Sequence, residues 1–155
     1  MKIDIYTHTT MKSPRERNGV CIYVIETKEL PPVTGRNPLT EMGEITDISA
    51  NEALLTTLLR ALRRLKGSSD IKVHTDSFYI KNGIEHLKEH REAGWVTAKG
   101  QPLKYSMLWE ETAAILDKQE SVSVACDPMN EYSSWMEAET EREKAKIKNG
   151  KSGKR

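Results

Sequence analysis

Apolar positions recur along this chain with two different spacings, and the switches between them predict the order of its elements. Near the start, Ile3, Ile5 and Thr7 fall on one side and Asp4, Tyr6 and His8 on the other. That is the period of two of a β-strand, ending at His8. Residues 9–18 read as a loop around Pro14 carrying Lys12, Arg15 and Arg17, and Gly19 leads into a second strand over 20–25. Residues 30–42, with Pro31, Pro32, Gly35 and Pro38, read as an irregular excursion, and a third strand is expected over 43–48. The period then changes. Leu54, Leu55, Leu58, Leu59, Leu62 and Leu65 recur at helical intervals, Ser49 and Glu52 have capping-box spacing, and Arg60, Arg63, Arg64 and Lys66 occupy the outer face before Gly67.

A buried strand over 71–75 follows and delivers Asp76 to the edge of a sheet, where the chain turns into a helix running through Tyr79, Ile80 and Leu87 to His90. Gly94-Trp95 breaks that helix. A further helix is expected over 103–118, with Leu108, Trp109, Ala113, Ile115 and Leu116 as its apolar side, then a last strand over 122–126. Asp127-Pro128 turns the chain, and Met129 or Asn130 begins a final charged helix. The order implies an α/β fold, a mixed five-stranded sheet flanked by helices, in one domain over 1–145. Residues 146–155 read as a basic, disordered tail.

Composition narrows the class without naming a function. The 155 residues carry 24 Lys+Arg against 23 Asp+Glu, a net charge of +1, so nucleic-acid binding depends on clustering of charge rather than on its sum. No apolar run approaches the ~20 residues of a bilayer helix, and MKIDIYTHTT lacks the apolar block of a signal peptide. Cys21 and Cys126 lack the spacing of a zinc site and read as reduced residues of a cytoplasmic protein.

Asp76 is the sharpest chemical signal. In open α/β sheets ligands gather outside the carboxyl ends of strands, which makes Asp76 a candidate for metal or phosphate work. The competing reading is that Asp76 or Ser77 merely caps the following helix.

Three sets of residues carry a resemblance. They are Thr75-Asp76-Ser77 with Tyr79 and Gly83-Ile84; Glu52 opening an Ala/Leu-rich helix; and Gly94-Trp95-Val96-Thr97-Ala98 followed by Pro102-Leu103-Lys104 and Leu108-Trp109. Over most of its length the chain resembles the type 1 ribonuclease H family. The resemblance implies a ribonuclease H-like fold and a two-metal hydrolase that cuts the RNA strand of an RNA–DNA hybrid, its Mg²⁺ or Mn²⁺ held by four carboxylates. Two small divalent ions bring four positive charges and prefer oxygen ligands, which is why so many acids converge.

Carried over position by position, Glu52 and Asp76 stand at two of the four acidic places. At the third, where the family has Asp-Gly-Ser, this chain has His8-Thr9-Thr10, and at the fourth Ser134 replaces the carboxylate. The mobile Gly-His loop of the family is also replaced, by the shorter 124–128. Phe78 stands where the family often has Gln, and Glu85, Glu89 and Glu92 interrupt the basic residues of the protrusion. Nucleic-acid contact is assigned to Lys12, Arg15, Arg17, Asn51 and Ser77. Asp127, Glu131 and Glu137 are candidate substitute acids, each with a plain reading as a cap or solvated residue. Asp4 shares a strand side with His8 but lies about 13 Å away, too far to serve the same ion. His86 and His90, at helical spacing, read as an exposed face, and Trp95 and Trp109 as core.

The expected function is therefore a ribonuclease H-like domain that binds RNA–DNA hybrid or duplex and cleaves it poorly or not at all. Two alternatives stay open: a Mn²⁺-dependent hybrid nuclease using His8, Glu52 and Asp76 as catalytic and metal-binding residues, and a protein–protein adaptor on the same scaffold. No membrane partner is expected.

Overall fold

The structure, a computed structural model, describes residues 1–27 and 38–153, the last three by backbone alone. Five strands and five helices follow one another: β1 (Lys2–Thr9), β2 (Gly19–Thr27), β3 (Leu39–Ile45), α1 (Ala50–Leu62), β4 (Asp70–Thr75), α2 (Phe78–Glu85), α3 (Leu87–Glu92), α4 (Ser106–Leu116), β5 (Ser121–Cys126) and α5 (Ser133–Gly153). The strands form one mixed sheet in the order β3-β2-β1-β4-β5. β1 to β3 make an antiparallel meander, and β4 and β5 add in parallel after helical crossovers. This is the mixed five-stranded α/β architecture that the element order predicts.

Alternation along β1 and β2 decides what each face of the sheet meets. Ile5 and Ile25 lie opposite each other and pack with Leu54, Leu55, Leu58 and Leu62 of α1, in a core that also takes in Ile71, Val73, Ile80 and Trp109. Tyr6 and Val24, one position along, point the other way and join Ile22 and Met136 of α5. The leucines of α1 sit three and four residues apart, so one stripe of the helix is dry. Full burial of such a side chain contributes roughly 1.5–3 kcal/mol. Among the described residues, no helix is long and apolar enough to cross a membrane.

Several boundaries differ from the periodicity, each for a local reason. β3 spans Leu39–Ile45 rather than 43–48, because Leu39 pairs with Ile25 and turns into the core while Asp47, at φ +60°, ends the strand early. The helix expected to reach His90 divides at His86, whose ring Nδ1–H donates to the Asn82 carbonyl oxygen (2.8 Å) and whose φ of −108° is not helical. α4 starts at Ser106 rather than 103, since Val96 and Pro102 form a short bridge and Tyr105 takes a left-handed φ of +60°. α5 starts at Ser133 rather than Met129 or Asn130. Asn130 forms a turn there, its side chain accepting from the Tyr132 N–H (2.9 Å) while its own N–H donates to the Ser133 hydroxyl (2.7 Å). The backbone of α5 is helical to Gly153, through the segment read as a tail. The expected excursion over 30–42 lies largely outside the described residues; its last residues form the start of β3.

Gly83 explains one motif that the sequence left without a cause. It sits within α2 where the helix meets α4, and a Cβ at that position would fall inside the Trp109 indole. Trp109 is itself fixed, buried and donating its indole N–H to the Tyr79 hydroxyl (2.8 Å). Gly83→Ala is therefore expected to destabilise the fold by about 1–3 kcal/mol despite the better helix propensity of Ala. Urea denaturation followed by Trp fluorescence measures the loss, and an unchanged midpoint would contradict the close packing.

Candidate functional site

β1 and β4 run parallel with Ile5 beside Val73 and Tyr6 beside His74. Continued two residues further, that register sets His8 next to Asp76 where both strands end. Asp76 is exposed and does not cap α2. The cap is Ser77, whose hydroxyl accepts from the Ile80 N–H (3.2 Å), while the Ser77 N–H donates to the buried Thr75 hydroxyl (3.0 Å). With that cap formed by a neighbour, the Asp76 carboxylate is left to other partners.

Glu52 enters from α1. The Ser49 hydroxyl accepts from the Glu52 N–H (3.2 Å) and bonds the Tyr105 hydroxyl (2.8 Å), which ties the start of α1 to the start of α4. The Glu52 carboxylate lies near Tyr79, whose phenol is held above its ordinary range mainly by burial, with a smaller push from Glu52. Asn51 beside it is exposed.

Burial pushes the His8 imidazole below its usual range. The Asp76 carboxylate opposes that shift most strongly, Glu137 and Glu141 add to the opposition, and Lys12 works against protonation. The imidazole thus sits among acids just past β4 and on α5, with Lys12 Nζ 3.9 Å from Glu137. Glu141 escaped the sequence reading, although its spacing of four from Glu137 on a helix carries the signal. Ser134, which the resemblance sets at the fourth acidic place, is an exposed hydroxyl. The structure brings Asp76 to His8. Among the described residues, no three His, Cys, Asp or Glu side chains converge closely enough to hold a metal ion, so Glu52 does not complete such a set with them.

The other candidates have different neighbours. Asp127 is exposed, and its N–H extends the sheet by donating to the Thr75 carbonyl (3.2 Å). Glu131 accepts from the Tyr6 hydroxyl. Asp4 accepts from His74 Nε2–H at 2.7 Å, and the His74 ring stacks on Tyr6 with centroids 4.3 Å apart. The rings of His86 and His90 lie 6.4 Å apart, with His86 already bonded to backbone. Trp109 is core, and Trp95 is half-buried against it.

Lys12, Arg15 and Arg17 are all exposed, but they are not equivalent. Arg17 donates through its guanidinium to the Asp47 carbonyl (2.9 Å), and the neighbouring Asn18 side chain accepts from the Asp47 N–H (3.0 Å). Arg17 therefore braces the β3–α1 turn. Lys12 instead reaches toward Glu137 of α5, its Nζ 3.9 Å from the carboxylate.

Comparison with known proteins agrees with the architecture. A family profile described as RNase H matches residues 2–126. The Ribonuclease HI of Xylella fastidiosa is 41% identical over 73 residues, 46% of this chain and 48% of that protein. The chain spans about half the length of the curated relatives it matches. Among solved structures, the foamy viral protease-reverse transcriptase in complex with RNA/DNA hybrid is similar with a TM-score of 0.65 and 18% identity, covering 88% of this chain and 18% of that one. The PFV RNase H domain is similar with a TM-score of 0.58 and 19% identity, covering 91% and 89%. At these identities the likeness is one of fold.

His8 supplies a direct check on the site. Its imidazole should titrate below the ordinary ~6.5, and Asp76→Asn should lower the midpoint further, because the carboxylate favours the protonated form. The folded midpoint being depressed, the stability contributed by neutral His8 is present above about pH 6.5 and is lost as pH falls through the folded midpoint. Histidine NMR titration of both proteins reads the two midpoints, and a rise in the Asp76→Asn variant would contradict the proximity.

Proposed function

The chain belongs to the ribonuclease H family, and on that premise we propose that it binds RNA–DNA hybrid or duplex nucleic acid while hydrolysing the RNA strand slowly or not at all. The observation that carries this reading is the donor set around Asp76. A half-buried imidazole occupies the place beside it, Ser134 supplies no charge, and no three metal-binding side chains converge among the described residues. Two small divalent ions need several converging carboxylates to neutralise them and to align a water for in-line attack. These residues do not fit such a pair of ions.

Binding asks for less. Lys12 and Arg15 are exposed in the β1–β2 loop, Asn51 and Ser77 stand at the starts of α1 and α2, and a solved relative of the same fold is described in complex with RNA/DNA hybrid. Phosphate contacts of this kind depend on counterion release and on no particular base.

A second reading is supported by Glu137. It acts with Asp76 on His8, and an imidazole flanked by acids suits one Mn²⁺ better than a pair of Mg²⁺. Cleavage that is slow, requires Mn²⁺ and is lost in His8→Ala would select it.

The proposal is tested with a labelled RNA–DNA hybrid. Affinity should fall steeply with salt, and Lys12→Ala with Arg15→Ala should weaken binding and reduce the log–log salt slope by about 1 per charge removed. With Mg²⁺ no cleavage is expected. Robust Mg²⁺ turnover abolished by Asp76→Asn would overturn the reading, and failure to bind hybrid or duplex at low salt would favour a protein-binding role.

A further inference from the structure

The two edges of the sheet are built differently. β3 closes one side with Glu41 and Glu44, and Glu41 is engaged by Arg60 (3.8 Å) and Arg64 (3.5 Å). Charges of this kind keep an edge from pairing with another chain. β5 closes the other side with Ser-Val-Ser-Val-Ala-Cys, which has no charge, proline or glycine. Among the described residues only β4 pairs with it, so half of its backbone N–H and C=O groups point away from the sheet.

An open groove of about 640 Å³ lies against this strand. Val122 and Val124 line it together with Ile84, Leu87 and Leu116, and so do the charged residues Glu85, Lys88, Arg91 and Asp117, the last two paired with each other at 2.6 Å. Ser121 and Ser123, on the opposite face of the strand, are exposed beside exposed Lys72. An occupant that continues the sheet is an extended strand with apolar residues beside Val122 and Val124 and small polar residues beside the serines. β5 itself has that pattern.

We propose that the β5 edge and its groove form a homodimer interface, with β5 of two copies paired antiparallel about Ser123 into a ten-stranded sheet. A two-fold axis perpendicular to the sheet keeps like faces together, so Val122 meets Val124 of the second copy and Ser123 meets its own counterpart. The charges of α3 suit the same symmetry. Its exposed residues Lys88, Glu89, Arg91 and Glu92 bracket His90, and an antiparallel approach centred there sets Lys88 opposite Glu92, while Arg91, opposite Glu89, is already paired with Asp117 of its own chain (2.6 Å). A parallel approach in register would set like charges together. The fit is thus one of backbone hydrogen bonds, alternating side chains and charge.

Sedimentation equilibrium of the full chain decides the matter. Dimers should form with rising concentration, and Ser123→Lys, which faces two ammonium groups at an exposed position, should weaken them at least tenfold. Leu87→Asp, in the groove wall, should do the same. Ser123→Cys should cross-link two chains under oxidation, circular dichroism confirming that each variant is folded. A chain that stays monomeric to ~1 mM, where only very weak association remains, overturns the proposal. So does a dimer that Ser123→Lys and Leu87→Asp leave intact, since it would use another surface.

Discussion

The parallel pairing of β1 with β4 is the constraint from which the site follows. These strands lie far apart in sequence, and only their shared register puts the end of one beside the end of the other. Everything chemical at this end of the sheet is then settled by what stands at two neighbouring strand ends. One carries a carboxylate and the other an imidazole. The helices are arranged around that pairing: α1 seals one face through Leu54, Leu55 and Leu58, and α5 brings Met136 and a row of glutamates across the other.

Much of this was legible because burial imposes periodicity. The alternation of Ile3, Ile5 and Thr7 and the leucine spacing of α1 each answer to one buried face, and both predicted elements exist. Ends of elements were harder to read. They depend on single hydrogen bonds and single dihedrals, such as the left-handed Tyr105, the His86 ring on Asn82 and the Asn130 turn, none of which changes the hydrophobic pattern. Of the neighbours that the candidate residues have in the structure, some were legible in the sequence and others were not. His8 and Asp76 follow from the strand ends, whereas the approach of Glu137 and Glu141 depends on how α5 crosses the sheet. The ambiguity over Asp76 as a cap disappears only once Ser77 is seen to take that role.

The face of the sheet toward α5 holds a second layer of polar order. Asp4, His74, Tyr6 and Glu131 form a continuous set of hydrogen bonds and a stacked ring pair, and Tyr132 packs on Tyr6 with centroids 4.7 Å apart. The Tyr6 phenol is held well above its ordinary range, chiefly by burial, so it remains a donor at all physiological pH. Such a network satisfies polar atoms that would otherwise be stranded where the helix layer begins.

The contact between Gly83 and Trp109 has a consequence for Asp76. Because no side chain separates α2 from the indole, α2 cannot roll or slide without colliding with a residue anchored deep in the protein. Ser77 caps the first turn of α2, and Asp76 stands directly before it. The carboxylate is thus aimed by a rigid lever whose fulcrum is a tryptophan in the interior, and the surface inherits its precision from the dry side of the molecule.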